Sequence, residues 1–468
     1  GAIGGKDSMC GTFEHIDVPP TLVSFAGCTA RADKIISAEF KLPYDKLYYI
    51  APSYDKDALP DFESVKAVFG KVEKLIAEGK AVSVWSLAHG GVAEGIFKMS
   101  LGNRIGAKLN ITDDDKLFGL HYGAFIIESG EELGEDFELI GETTEEYRIV
   151  CGDTILDCAA LEKKWDAVLE PIFRDSVKHY DTPEKIETVS GAKFACAPAN
   201  RIAKPRVLIP AFPGTNGEYD MAEAFRREGC EPEIFVVRNL SASAVEDSVN
   251  AFADLISRSN IIAVPGGFSG GDEPEGSGKF INAFFRNPRV KEAVNEMLYK
   301  RDGLILGICN GFQSLIKLGL VPVGDIVPLD SESPTLTFNK IGRHQSQLVR
   351  TRICTDKSPW LADCKPGDIF TVPISHGEGR FVASDEVIKK LIANGQVATQ
   401  YVDLNGDPTM DLRYNPNSSM YAVEGIISPD GRVLGKMGHS ERISADCCTN
   451  VDGIKEQPLF RSGIRYFS

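Results

Sequence analysis

The sequence holds no run of about 18 apolar residues, which excludes a helix long enough to span a membrane. It lacks a basic start followed by an apolar stretch: Gly1-Ala2-Ile3-Gly4-Gly5 reads as no secretory signal. Positive charge is scarce, with 51 Lys and Arg against 67 Asp and Glu and a net charge of −16. A general binder of phosphate backbones needs clustered Lys and Arg, so neither nucleic acid nor membrane is an expected partner. There is no internal repeat and no low-complexity segment, and the eleven cysteines include no C-x-x-C set with zinc-finger spacing, so no metal site is expected. Their odd number, and the apolar surroundings of Cys28, Cys151 and Cys158, point to free thiols in a reducing cytoplasm. The vicinal pair Cys447-Cys448 is read as structural or incidental.

What is present is an ordinary globular composition, 43% hydrophobic and 25% charged, over 468 residues, long enough for two or more cores. In the first half strands and helices alternate. A strand is expected over 35–42, a helix over 62–78 from the spacing of Val65, Val68, Phe69, Val72, Leu75 and Ile76, and a short strand over 81–85. A helix over 92–100, an extended segment over 118–129 and an amphipathic helix over 161–176 follow, giving an α/β or α+β layer fold. Periodicity is lost between about 177 and 205, and a new rhythm then starts. Strands over 206–210, 233–237, 261–264 and 303–308 are joined by helices over 219–228, 279–300 and 311–318. Val- and Ile-rich strands linked through helices imply a doubly wound, mainly parallel sheet, with a mixed edge from strands over 347–353, 369–373 and 420–427. The expected domains are 1–34 as a lead-in, 35–185, a linker over 186–204, and 205–468. An open α/β sheet places its site beyond the carboxyl ends of its strands.

Three motifs fall at such ends. Gly307-Ile308-Cys309-Asn310-Gly311 runs from an apolar strand into a helix with glycines two residues on either side of the cysteine, a nucleophile elbow carrying sulfur. A helix start aimed at that sulfur favours its thiolate. A thiolate needs a proton carrier, and two His-x-Glu triplets offer one: His376-Gly377-Glu378, continuing to Gly379-Arg380, and His439-Ser440-Glu441. In either, the glutamate could orient the imidazole, and spacing leaves the choice open. Pro265-Gly266-Gly267-Phe268 follows a strand and offers backbone N–H groups to a developing oxyanion, paired with the N–H of Asn310. Each motif alone has a plainer reading, as a core cysteine, a surface histidine or a tight turn.

Together, and in this order, they resemble the triad-type (class I) glutamine amidotransferases. The resemblance implies a flavodoxin-like domain in which Cys309 is the nucleophile, His439 the base and Glu441 its orienting carboxylate. Where that family reads H-P-E-R, Ser440 stands here. Pro213-Gly214-Thr215-Asn216-Gly217-Glu218, Asn310-Gly311-Phe312-Gln313 and His376-Gly377-Glu378-Gly379-Arg380 are similar to the glutaminase of the phosphoribosylformylglycinamidine synthase family, which serves purine biosynthesis. This implies glutamine as substrate, a pocket drawing on Gly266, Gly267, Phe268, Asn310, Gln313, His376, Glu378 and Arg380, and no cofactor in the glutaminase domain. The first half resembles the last subdomain of the same family's synthetase, a ligase using ATP and Mg2+. Gly4-Gly5-Lys6-Asp7-Ser8-Met9 is similar to its nucleotide segment, making Lys6, Asp7 and Ser8 weak candidates for nucleotide contact. The stretch the family writes H-D-x-S-D-G-G-L reads Trp85-Ser86-Leu87-Ala88-His89-Gly90-Gly91-Val92, with Ser86 and His89 in place of both aspartates. A hydroxyl is a poor magnesium ligand, so this half-site is expected to bind nucleotide weakly or to serve structure alone. The resemblance covers only the C-terminal part of that longer enzyme, so the chain is expected to be a piece that works with the remainder of the synthetase. The alternatives are a folded, poorly active, partner-binding piece and a cysteine hydrolase of the same architecture.

Overall fold

The computed structural model describes residues 2–7, 11–13, 15–19, 22–178, 183–190, 202–268, 278–444 and 447–467. The chain divides into two compact units, Gly1–Phe173 and Arg174–Ser468. The division precedes the 185/186 boundary expected from loss of periodicity, because 183–190 belongs to the second unit. Ile186 is buried in that unit's core, its N–H donates to Gln400 Oε1 at 2.9 Å, and Thr188 pairs with Thr355. Most of the expected linker, 191–201, lies outside the described residues.

The first unit is built on a seven-stranded sheet, antiparallel except where Arg148–Cys151 runs parallel to Gly106–Leu109. Helix Phe62–Ala77 starts at Asp61, whose carboxylate accepts from Ser64 N at 2.8 Å, and buries Val68, Val72 and Leu75 in one apolar cluster. Helix Gly91–Leu101 buries Val92, Ile96 and Met99 in a second. Each such fully buried aliphatic contributes about 1.5–3 kcal/mol. No strand forms over 35–42. There the backbone N–H groups of Lys41 and Leu42 are met by the buried carboxylate of Glu128, at 2.9 and 3.1 Å, in place of a ladder. The extended segment expected over 118–129 narrows to Phe125–Ser129, and the last helix of the unit is Cys158–Leu169.

The second unit carries a nine-stranded sheet: β1 (Val207–Ala211), β2 (Glu233–Val236), β3 (Ile261–Val264), β4 (Leu304–Ile308), β5 (Gln345–Ile353), β6 (Ile369–His376), β7 (Val397–Val402), β8 (Val423–Ile427) and β9 (Val433–Lys436). Their spatial order is β2-β1-β3-β4-β9-β8-β7-β5-β6. The first five in that order pair in parallel, and from β9 onward every pairing is antiparallel. The expected parallel sheet is therefore present with a four-stranded antiparallel extension. β1, β3, β4, β8 and β9 are buried at every residue, as strands covered on both faces must be. The single helix expected over 279–300 is two, Lys279–Phe285 and Pro288–Lys300, because Pro288 cannot donate into a continuing helix and Asn287 caps the new start through Arg289 N at 3.0 Å. β4 and β9 lie side by side in parallel and bring Cys309 and the His439 loop to the same sheet rim.

Candidate active site

Cys309 sits between β4 and helix Asn310–Leu318 with φ 53° and ψ −107°, a conformation that non-glycine residues rarely adopt. The neighbouring glycines explain how so sharp a reversal fits. A Cβ on Gly307 would lie 2.8 Å from the Gly311 backbone, and one on Gly311 would lie 2.1 Å from Val264 O. The elbow is tied to both flanks: Cys309 N donates to Lys436 O at 2.9 Å, and Gln313 N to Cys309 O at 3.0 Å. The thiol is 6% exposed and faces Ser375 O at 3.8 Å.

His439 adjoins the same spot. A Cβ built on Gly266 would meet His439 Cε1 at 2.8 Å and Cys309 Cβ at 3.5 Å, so this glycine occupies the gap between sulfur-bearing and imidazole-bearing residues. His439 Nδ1 lies 2.6 Å from Glu441 Oε1, both side chains are buried, and His439 Nε2 has no hydrogen-bond partner among the described residues. Burial favours a neutral ring, but the Glu441 carboxylate and the Cys309 sulfur outweigh it and raise the His439 pKa to about 9. Burial pushes Glu441 up, and the facing imidazole more than offsets this, holding it below the usual carboxylate range. Arg227 donates to the carbonyls of Ile443 at 2.7 Å and Glu441 at 3.3 Å, fixing the backbone behind the pair.

The other histidine, His376, ends β6 and is buried, with neither ring nitrogen hydrogen-bonded among the described residues. Burial first, and proximity to His439 second, depress its pKa to about 3, so this ring is neutral at physiological pH. Buried amides hold its loop. Asn339 Nδ2 donates to His376 O at 2.8 Å, Asn417 Nδ2 to Gly379 O at 2.8 Å, and Gln313 Nε2 to Glu378 O. Asn310 Nδ2 in turn donates to Gln313 Oε1 at 3.0 Å, so the amides of Asn310 and Gln313 link the elbow helix to the 376–380 loop. Arg380 opens a short strand paired with Thr335–Thr337.

On the opposite side, Gly266-Gly267-Phe268 is clasped by 214–216. Asn216 N donates to Gly266 O at 3.3 Å and Phe268 N to Gly214 O at 2.8 Å, leaving the Gly267 N–H out of both bonds. Gly267 has φ 131°, and a Cβ there would lie 2.5 Å from Gly214 O. Phe268 stands at the rim, 39% exposed. Asn310 opens its helix, where first-turn N–H groups have no intrahelical acceptor. The arrangement can present a nucleophilic sulfur, a proton carrier with an oriented ring and backbone donors for an oxyanion, which is the equipment of acyl transfer. Gly214, Asn216, Arg227, Asn339 and Asn417 were not singled out from sequence for the site. Only the first two lie in a motif, Pro213–Glu218, that could have signalled them.

In the first unit, Lys6 and Asp7 lie on strand Ala2–Asp7 and Ser8 falls outside the described residues. Ser86 ends a strand and Gly90 caps helix Gly91–Leu101, where Glu94, the carboxylate of the first turn, accepts from Gly90 N at 3.0 Å and pairs with Lys98 at 2.6 Å. No cluster of three or more His, Cys, Asp or Glu able to hold a metal ion occurs among the described residues. No helix among them is long and apolar enough to cross a membrane.

Residues 204–467 match the model of the CobB/CobQ-like glutamine amidotransferase domain. The phosphoribosylformylglycinamidine synthase subunit PurQ of Symbiobacterium thermophilum is 32% identical over 263 residues, covering 56% of this chain and 97% of that protein. The PurQ subunit of Aquifex aeolicus is 30% identical over 249 residues, 53% of this chain and 96% of its own. Among solved structures, a chain of PurLQS from Thermotoga maritima aligns with 57% of this chain and 100% of its own length, at 24% identity and a TM-score of 0.41. The chain belongs to the CobB/CobQ-like glutamine amidotransferase family and, within it, groups with the PurQ subunits of phosphoribosylformylglycinamidine synthase.

Proposed function

We propose that the second unit hydrolyses glutamine to glutamate and ammonia through a Cys309 thioester. The ammonia then serves the ATP-dependent conversion of formylglycinamide ribonucleotide to its amidine in purine biosynthesis, a cytoplasmic pathway. The observation that carries this reading is the elbow cysteine facing, across Gly266, an imidazole whose far nitrogen is held by Glu441.

The thiol proton already rests on His439 as the Cys309 thiolate attacks the carboxamide carbon, and the oxyanion is received by the N–H groups of Gly267 and Asn310. The tetrahedral intermediate collapses as the imidazolium returns that proton to the leaving nitrogen, so ammonia departs and a glutamyl thioester remains. Water then attacks the thioester and gives its proton to the now neutral His439, and sulfur leaves as the thiolate, restoring the starting pair. Glu441 keeps the ring in the tautomer that leaves Nε2 toward the reaction. His376, Glu378 and Arg380 line the glutamine pocket or the ammonia exit. A neutral His376 suits that place, because a ring so hard to protonate does not convert ammonia into non-nucleophilic ammonium. The ATP- and magnesium-dependent step belongs to the synthetase partner, and no step here runs through either group.

The test is glutamate release by the 468-residue chain, alone and with a PurL-type synthetase, formylglycinamide ribonucleotide and ATP. Glutamine should support amidine formation in the assembled system, and Cys309→Ser should confine it to ammonium salts. A Cys309→Ser protein that still used glutamine would overturn the reading.

A further inference from the structure

Beneath the triad lies a buried ion pair that the chemistry above does not use. Lys436, the last residue of β9, is 1% exposed, and Glu424 on β8 is 1% exposed, with Nζ 3.5 Å from Oε1. A buried ion pair is weak evidence for stability, because desolvation of the two charges about cancels their attraction. What sets this pair apart is where its remaining bonds go. Glu424 Oε1 accepts from Gly438 N at 2.6 Å, and Lys436 Nζ donates to Gly438 O at 2.8 Å, so both backbone groups of the residue preceding His439 are gripped. Lys436 Nζ also donates to Ser440 Oγ at 3.0 Å, and Ser440 Oγ donates to Gln457 Oε1 at 2.7 Å, gripping the residue that follows His439. Thr399 donates to Glu424 Oε2 and steadies the carboxylate.

The same lysine reaches the nucleophile through its backbone, since Lys436 O accepts from Cys309 N at 2.9 Å and its Cα is in register with Ile308. A Cβ on Gly438 would lie 2.7 Å from Val372 Cγ2 and 3.0 Å from both Lys436 Nζ and Glu424 Oε1, so a side chain there would crowd the two charges where they close on that peptide. Resting on the glutaminase reading, we infer that Lys436 and Glu424 are positioning residues: a charged clasp that fixes the 438–440 backbone so the His439 ring faces the Cys309 sulfur. Ser440, at a position where the resembled motif carries proline, is the third member of the clasp.

The experiment compares the wild-type chain, Lys436→Met, and the double variant Lys436→Met/Glu424→Leu, each read by melting temperature, kcat and KM for glutamine, and the rate of Cys309 alkylation by a diazoketone analogue of glutamine. Lys436→Met alone strands a buried carboxylate and should lower Tm by roughly 10 °C. The double variant, with an apolar pair of similar volume, should recover most of that Tm. If the clasp positions His439, the recovered double variant still loses about 10- to 100-fold in kcat and in alkylation rate, with KM within threefold of wild type. A double variant that regains Tm together with wild-type kcat and alkylation makes the pair merely structural and overturns the inference. A wild-type chain that is neither active nor alkylated at Cys309 overturns the glutaminase reading itself, and the clasp with it.

Discussion

The two units bury polar groups to opposite ends. In the first, Glu128 is fully buried and fully satisfied, accepting from Lys41 N, Leu42 N and Ser83 Oγ at 2.9, 3.1 and 2.6 Å beside the buried carboxyl of Asp45, so its carboxylate replaces a strand's ladder. In the second, His439 Nε2 and both nitrogens of His376 are buried with no hydrogen bond among the described residues, beside a strained cysteine. A polar group with every bond made is structure. One held in place on one side and left open toward a sheet rim is equipment for a substrate, and that asymmetry separates the glutaminase unit from its neighbour.

Four changes break or sharpen this contrast. Cys309→Ser should lower glutamine hydrolysis by about 10⁴-fold or more, measured as glutamate release, because nucleophile, base and oxyanion donors act as one unit. Gly267→Ala places a Cβ 2.5 Å from Gly214 O at a positive φ, displacing the N–H offered to the oxyanion, and kcat should fall about 10²-fold. Glu128→Ala leaves two backbone N–H groups and a hydroxyl unmet, and should destabilise the first unit by about 1–3 kcal/mol in denaturant melts while kcat for glutamine stays within twofold. The last change is in pH. Burial holds the His376 ring at a pKa of about 3 when folded, against the ordinary imidazole value of 6.5 in the unfolded chain, so between those values the unfolded chain holds a proton that the folded one refuses. Stability should therefore fall as pH drops below 6.5, by at most about 1.4 kcal/mol per unit, and His376→Gln should remove that component. His439 has the opposite sign: raised to about 9, its contribution is present below 6.5 and lost as pH rises through 9.

The parts of this molecule written in short stretches could be read from sequence. The elbow announces itself because two glycines must flank a reversing backbone, and β3 and β4 because runs rich in Val, Ile and Leu have few other uses. Two features were invisible for the same physical reason. The 35–42 segment looked like a strand, yet its backbone bonds go to a side chain 86 residues away at Glu128. The clasp of Lys436 and Glu424 joins neighbouring antiparallel strands, and nothing in the local pattern of β9 distinguishes a lysine aimed at solvent from one closed inside. The spacing of the two His-x-Glu triplets likewise left His376 and His439 open, and only the family resemblance favoured His439. The preference becomes physical only in three dimensions, where one ring has Glu441 behind it and the other has no hydrogen bond among the described residues.

Mass-spectrometric mapping after treatment with a diazoketone analogue of glutamine tests the central claim most directly. Burial pushes the thiols of Cys158 and Cys364 up to about 11 and 12, so they compete poorly for the label. A single adduct is expected on Cys309, forming in the His376→Gln protein and lost from the His439→Ala protein. Label on any other cysteine, or labelling of Cys309 that survives loss of His439 and fails with loss of His376, contradicts it.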